Sequence, residues 1–318
     1  MARLRGSLVL SLAIVALGPA AGTAAAQQPS CGQVVTTSVR LEQNLRCPDT
    51  NGLVIGAHGI TINLNGHAIH QGIGFRGPGS AIDNGGGYDG VVIRNGGLGA
   101  DGQGIRLAGA SNTRIIDVSA SGGASAVRIE GGVGNQILRG DFTGFGGIDV
   151  SGSESLRVTD AAVTTAQSFG IRLQGSSGSI ARNTLDGGGI TVQGNDNRVA
   201  DNVVVGALHA GIEIASGAND VVVRNWVVDT RPVFSPADTT GDGIRVGAFT
   251  AGTVIRENIA VGNGEDGIDV ESSGARLIRN LANGNTDLGI DARPGAVATG
   301  NQAGGNGNSA QCAGISCG

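Results

Sequence analysis

The chain has 318 residues and a formal net charge of −5, with 59 glycines, 7 prolines, 3% aromatic and 15% charged residues. Glycine this abundant, without a three-residue period or many prolines, excludes collagen, and at about 1 kcal/mol per helical position it excludes a helical bundle. The 40% hydrophobic content excludes a disordered chain, and the mild acidity excludes nucleic acid and anionic membranes as partners.

In chain order, residues 1–26 read as an export signal. Arg3 and Arg5 precede an apolar run over 8–17, and Ala24, Ala25 and Ala26 form a small-residue cleavage site before Gln27. That run is too short to span a bilayer. The expectation is a secreted or periplasmic protein cleaved after Ala26, with no membrane insertion. An exported chain with an even cysteine count favours disulfides. Proximity pairs Cys31 with Cys47 and Cys312 with Cys317. The first pair pins an N-terminal cap over 27–51, and the second pins a C-terminal cap over 302–318.

Between the caps, residues 52–301 repeat one phrase: a small residue, an aliphatic, one outward residue, another aliphatic. Eleven starts are visible, at Gly52, Ala81, Gly104, Ala126, Gly147, Gly170, Gly189, Gly211, Gly243, Gly267 and Gly289. An Asn or Asp column keeps step with them, including Asn65, Asn95, Asp117, Asp160, Asn183, Asn202 and Asn225. Asn and Asp tolerate left-handed turns, so the column predicts a stacked, hydrogen-bonded corner. The short strands alternate with period two, and no helix-length pattern occurs. The economical fold is all-β: a single-stranded right-handed parallel β-helix of about eleven coils, with neighbours about 4.8 Å apart. Glycine is expected at corners that need positive φ.

Outward charges of the phrase form two runs, Arg128–Asp149–Arg172 and Glu213–Arg245–Asp269. The first reads as a solvated ion-pair ladder. Around the second, Asp242, Glu265, Asp266, Glu271, Asp287 and Asp291 add carboxylates, and His209 stands next to Glu213. The longest insertion, 229–242, lies over the same coils with Arg231, Phe234 and Asp238, and Trp226 is one face away. Insertions in solenoids tend to mark the binding face. Arg245, Asp242, Asp266, Asp269 and His209 are therefore the candidate catalytic residues. Glu213, Arg231, Phe234 and Tyr88 are the candidate substrate contacts. A second patch over 66–89 holds His67, His70, Phe75, Arg76 and Tyr88.

The opening Cys31…Cys47-Pro48…Gly52-Leu53-Val54-Ile55 and the following Thr61-Ile62-Asn63-Leu64-Asn65-Gly66-His67 resemble the exported bacterial parallel β-helix repeat proteins of the pectate-lyase-like superfamily. The resemblance implies a carbohydrate-active protein acting on a polysaccharide. As in pectate lyases, it would imply a cation, calcium on Asp242, Asp266 and Asp269, with Arg245 as base. Thr240-Gly241-Asp242-Gly243 and Glu265-Asp266-Gly267-Ile268 also resemble half of the polygalacturonase pattern. The Gly-His-Gly and Arg-Ile-Lys segments of that family are absent, as is the Asp-Pro-His of alginate epimerases. The expectation is a polysaccharide lyase for uronic-acid polymers. The alternative is a non-catalytic surface rod that binds glycans. A monomer is expected in either case.

Overall fold

The computed structural model describes residues 28–48, 50–72, 79–165, 169–234 and 239–318. The export signal of 1–26, Phe75, Arg76 and Asp238 lie outside the described residues, as does the side chain of Phe234. The described residues contain no helix. Parallel pairing of each coil with the next joins 31 strands into one continuous sheet. The exception is an antiparallel hairpin of Val233–Phe234 with Thr239–Thr240.

Each coil contributes to three ladders. The first carries the repeated phrase, as in Ile190–Gln193, Ile268–Val270 and Ile290–Ala292. The second includes Val221–Val223, Val254–Arg256 and Arg276–Ile278. The third includes Val203–Val205, Trp226–Val228 and Ile259–Val261. The phrase's two aliphatics point inward and its middle residue points out. One inward column runs Ile148, Ile171, Ile190, Ile212, Ile244, Ile268 and Ile290, in register and fully buried. Each such side chain is worth roughly 1.5–3 kcal/mol of burial. One-residue slips would turn the whole column to solvent, so the pattern also sets the register. Among the described residues the narrow core admits one fully buried aromatic ring, Phe142, beside Gly140.

The ladders run past the repeat at both ends. Gln33–Val35, Val39–Arg40 and Leu45–Cys47 pair in parallel with the coil that follows, so these strands form a coil of their own. Cys312–Ala313 extends the first ladder beyond Ile290–Ala292. The solenoid therefore has about 12 turns, against the eleven visible as repeats. Both expected disulfides are present, Cys31–Cys47 and Cys312–Cys317.

The Asn/Asp column is two columns, one residue apart. Asn65, Asn95, Asp117 and Asp160 take positive φ at the corner between the second and third ladders. From Asn183 onward the corner residue is the one before, and Arg182, Asp201, Arg224, Glu257 and Arg279 are left-handed. The asparagine that follows turns inward. There the amides of Asn183, Asn202, Asn225, Asn258, Asn280 and Asn301 form an unbroken buried stack, each Nδ2 donating to the next Oδ1 at 2.9–3.0 Å.

Glycine takes the expected left-handed turns, such as Gly66 at φ 81°, and also has a second role. The phrase glycines Gly147 and Gly243 are not left-handed. A Cβ on either would lie 2.2 or 2.5 Å from a carbonyl oxygen of the next coil.

Candidate functional site

The site candidates gather along the outward side of the first ladder. Asp242 and Asp266 each precede a phrase glycine, at the corner where the chain enters this ladder. Asp242 Oδ1 accepts the amide of Asp266 at 3.3 Å, and Asp266 Oδ1 accepts the amide of Leu288 at 2.8 Å. That one-coil step places both carboxyls in the wall of the solenoid, 3% and 8% exposed. Arg245, Asp269 and Asp291 are the outward residues of three consecutive phrases and stand in register.

These residues line one open concavity of about 210 Å³, formed by Asp242, Arg245, Glu265, Asp266, Asp269, Glu271 and Asp291. Arg245 Nε donates to Glu271 Oε1 at 3.1 Å, its Nη2 also bonds Glu271, and its Nε lies 3.8 Å from Asp269 Oδ2. Arg245 also borders a second hollow of about 320 Å³ lined by Phe169, Thr191, Leu208, His209, Glu213 and Thr240. The two hollows make a groove along the rod axis. The hairpin of the long insertion flanks it, and His209 Nδ1 meets Thr240 Oγ1 at 3.1 Å. His209 holds a left-handed φ of 69° to do so. At the far end of the groove the Arg172 guanidinium lies over the Phe169 ring, 4.2 Å from its centroid.

Crowding of carboxyls in this wall moves their protonation. Burial first, then the charges of Asp269, Glu265 and Asp266, push Asp242 up to about 8. Burial and the neighbouring Glu271 push Asp269 up to about 7, against the opposing pull of Arg245. Burial raises Asp266 to about 6, with the amide of Leu288 opposing it. All three carboxyls are thus shifted upward toward neutral pH, the direction that suits a side chain to proton transfer.

Asp242, Arg245, Asp266, Asp269, His209 and Glu213 are therefore brought together. Two candidate contacts are not. Arg231 Nε donates to the carbonyl of Gly206 at 2.9 Å and lines neither hollow. Tyr88 packs edge-on against His58, with ring centroids 5.3 Å apart. Its coil is about 34 Å from Asp242 at 4.8 Å per rung. Phe169 and Leu208 are lining residues that the sequence reading missed. Phe169 stands immediately before Gly170, the offset at which Asp242 and Asp266 stand before their glycines, and that offset is the signal that would have found it.

For a cation, the matching oxygen donors are Asp266, Asp269 and Asp291, with one carboxylate oxygen from each lying within 4.8 Å of the others. Oxygens at that spacing can share an ion bound at about 2.3–2.6 Å, as calcium requires. Asp291 thus takes the place expected for Asp242 in that set. The first ion-pair run is formed, with Arg128 Nη1 reaching Asp149 Oδ2 at 3.3 Å and Arg172 gripping the same carboxylate with two bonds of 2.9 Å, but Asp149 at its centre is buried rather than solvated.

The family model described as "Right handed beta helix region" matches residues 71–228. No curated protein sequence matches the chain. Among solved structures, the mannuronan C-5 epimerase AlgE6 A-module of Azotobacter vinelandii is 13% identical, with a TM-score of 0.52 over 90% of this chain and 88% of that one. A double mutant of the periplasmic alginate epimerase AlgG is 16% identical, with a TM-score of 0.58 over 85% of this chain and 75% of that one. At these identities the likeness is one of fold. The ladders make the chain a parallel β-solenoid, and the right-handed β-helix family model matches it over 71–228.

Proposed function

We propose that the protein is an exported, carbohydrate-active β-helix that cleaves a uronic-acid polymer by β-elimination in the groove over the first ladder. The observation that carries this reading is the row of carboxyls lining one open concavity, Asp242 and Asp266 buried and Asp269 half-buried, with protonation displaced toward neutrality. The two structural neighbours are a mannuronan C-5 epimerase and an alginate epimerase, which agrees with a polysaccharide partner. The disulfides agree with export.

In this reading Asp269 takes the proton from C5 of the uronate ring. The C4–O bond breaks as the C4–C5 double bond forms, and the departing oxygen takes a proton from solvent or from a neighbouring carboxyl. Asp242, held protonated, donates a hydrogen bond to the uronate carboxylate and so reduces the charge that opposes C5 ionisation. Arg245 stays cationic, because a guanidinium does not deprotonate in proteins and Glu271 and Asp269 face it. It acts as a charge partner, and the base role expected of it passes to Asp269. Calcium on Asp266, Asp269 and Asp291 would occupy the carboxylate that serves as base, so this step runs without it and added calcium is expected to slow it.

Incubation with alginate, pectate and other polyuronates, read by absorbance of the unsaturated product, tests the reading with and without calcium. Asp269→Asn is expected to lower kcat by about 100-fold or more. Activity should rise with pH through about 7 as Asp269 ionises and fall above about 8 as Asp242 ionises. No unsaturated product from any polyuronate would sink the lyase reading. The glycan-binding rod is the second reading, favoured by the engagement of Arg245 within the protein itself. Retention on a polysaccharide column without turnover would select it.

A further inference from the structure

On the third ladder, outward residues change character along the rod. In the coils of Ala162 and Thr184 the outward positions are Ala162, Thr164, Thr184 and Asp186. In the next three coils they are Val203 with Val205, Trp226 with Val228, and Ile259 with Val261, followed by Leu281. Trp226 is 51% exposed and Ile259 40%, and the two are direct neighbours across a rung. Consecutive apolar pairs on an outward sheet face are unusual for a soluble strand ladder and mark an interaction surface.

The edge of this face carries the left-handed corner residues, and their charges alternate. Asp201, Arg224, Glu257 and Arg279 succeed one another along the rod, with Arg224 bound to Asp201 at 2.7–2.8 Å and Arg279 to Glu257 at 3.3 Å. Alternation over an even number of rungs has a symmetry consequence. Turn a second copy end for end and lay the same face against the first. Asp201 then meets Arg279 of the other copy, and Arg224 meets Glu257. Trp226 meets Ile259. Every cross-copy charge pair is opposite, so the face is complementary to itself under a two-fold axis.

We infer that this face docks a second copy of the chain, antiparallel, as a two-fold dimer. Three-residue strands over four rungs present only about 200 Å² of flat apolar surface at 3.3 Å per residue and 4.8 Å per rung. A stable interface buries about 800 Å² per partner. The charged corner and the flanking coils therefore belong to the contact, which makes the charge order decisive for orientation.

Light scattering and sedimentation on the full exported chain test the inference, with Trp226 as an internal reporter because it is the only tryptophan. The expected result is twice the single-chain mass, with a blue shift of tryptophan emission as concentration rises. Trp226→Glu should return the mass to one chain. Arg224→Glu alone places two negative charges face to face and should weaken the dimer at least tenfold. Arg224→Glu combined with Glu257→Arg keeps every cross-copy pair opposite and should restore it. Phe249→Glu, at an 86% exposed residue of the first ladder, should change nothing. Circular dichroism confirms that each variant is folded. A single-chain mass at all concentrations overturns the inference, as does an oligomer indifferent to Trp226→Glu. A single-chain mass with Trp226 emission shifted by polysaccharide assigns the face to a glycan and overturns it equally.

Discussion

Asp220 is fully buried at the corner between the first and second ladders, where its Oδ1 accepts the amide of Asn197 at 2.8 Å. Its Oδ2 has no hydrogen-bond partner among the described residues. Burial pushes this carboxyl up to about 6 from 3.8. A carboxyl raised on folding holds its proton more tightly in the native state, so stability falls as pH rises from the unfolded value to the folded one. Asp242, Asp266 and Asp269 share that sign and extend the window upward. Urea midpoints should therefore decline from about pH 4 to about pH 8. Asp220→Asn should flatten the part between about 4 and 6 while keeping an oxygen for the Asn197 amide. A midpoint that rises across that interval would contradict the assignment. The acids of the groove were legible in the sequence, because they stand at fixed offsets from repeated glycines. Asp220 was not, because its column holds Thr113, Asn135, Asn197 and Thr253 in other coils and repeats no single letter.

At the scale of the strand and its corners, the amide stack is the feature with the largest consequence for one residue. Asn225 Nδ2 donates to Asn258 Oδ1 and to the carbonyl of Val199, and its Oδ1 accepts both the amide and the side chain of Asn202. Asn225→Ala strands several buried polar groups at once. Each unsatisfied group costs about 1–3 kcal/mol, so the variant should lose about 3 kcal/mol or more in chemical denaturation. An unchanged midpoint would mean that water enters the corner and heals the gap. A corner rich in Asn and Asp was readable from the sequence, but its division into an inner stack and an outer charged edge was not. A one-residue shift at Asn183 preserves the letters while exchanging buried for exposed. The glycines carried a similar ambiguity. Composition counts them without separating a left-handed turn, such as Gly66 at φ 81°, from a close approach between coils, such as Gly147.

Across the whole molecule each coil touches mainly its neighbours, so stability is local and the ends are its weakest parts. The Cys31–Cys47 bridge closes a 16-residue separation around the first coil, worth about 3 kcal/mol by loop entropy. Reduction should expose amides of 33–47 to hydrogen exchange while the coils around Ile171 stay protected. Uniform loss of protection along the chain would instead mean that the rod unfolds as one unit. The solenoid itself was legible because period-two strands and a repeat spaced mostly at 19 to 24 residues reinforce each other over eleven phrases. The hairpin beside the groove was not, because it does not recur from coil to coil, and neither was the apolar third face, because its Val, Trp and Ile letters do not say which of them point outward. The amide stack has one further consequence. Every Asn from 183 to 280 passes its hydrogen bond toward the C-terminal end, so each coil presents the same donor above and the same acceptor below. A whole coil spliced in between two of them would find both partners waiting. The length of the rod is in that sense an open variable, which gene duplication can extend from the middle without disturbing either end.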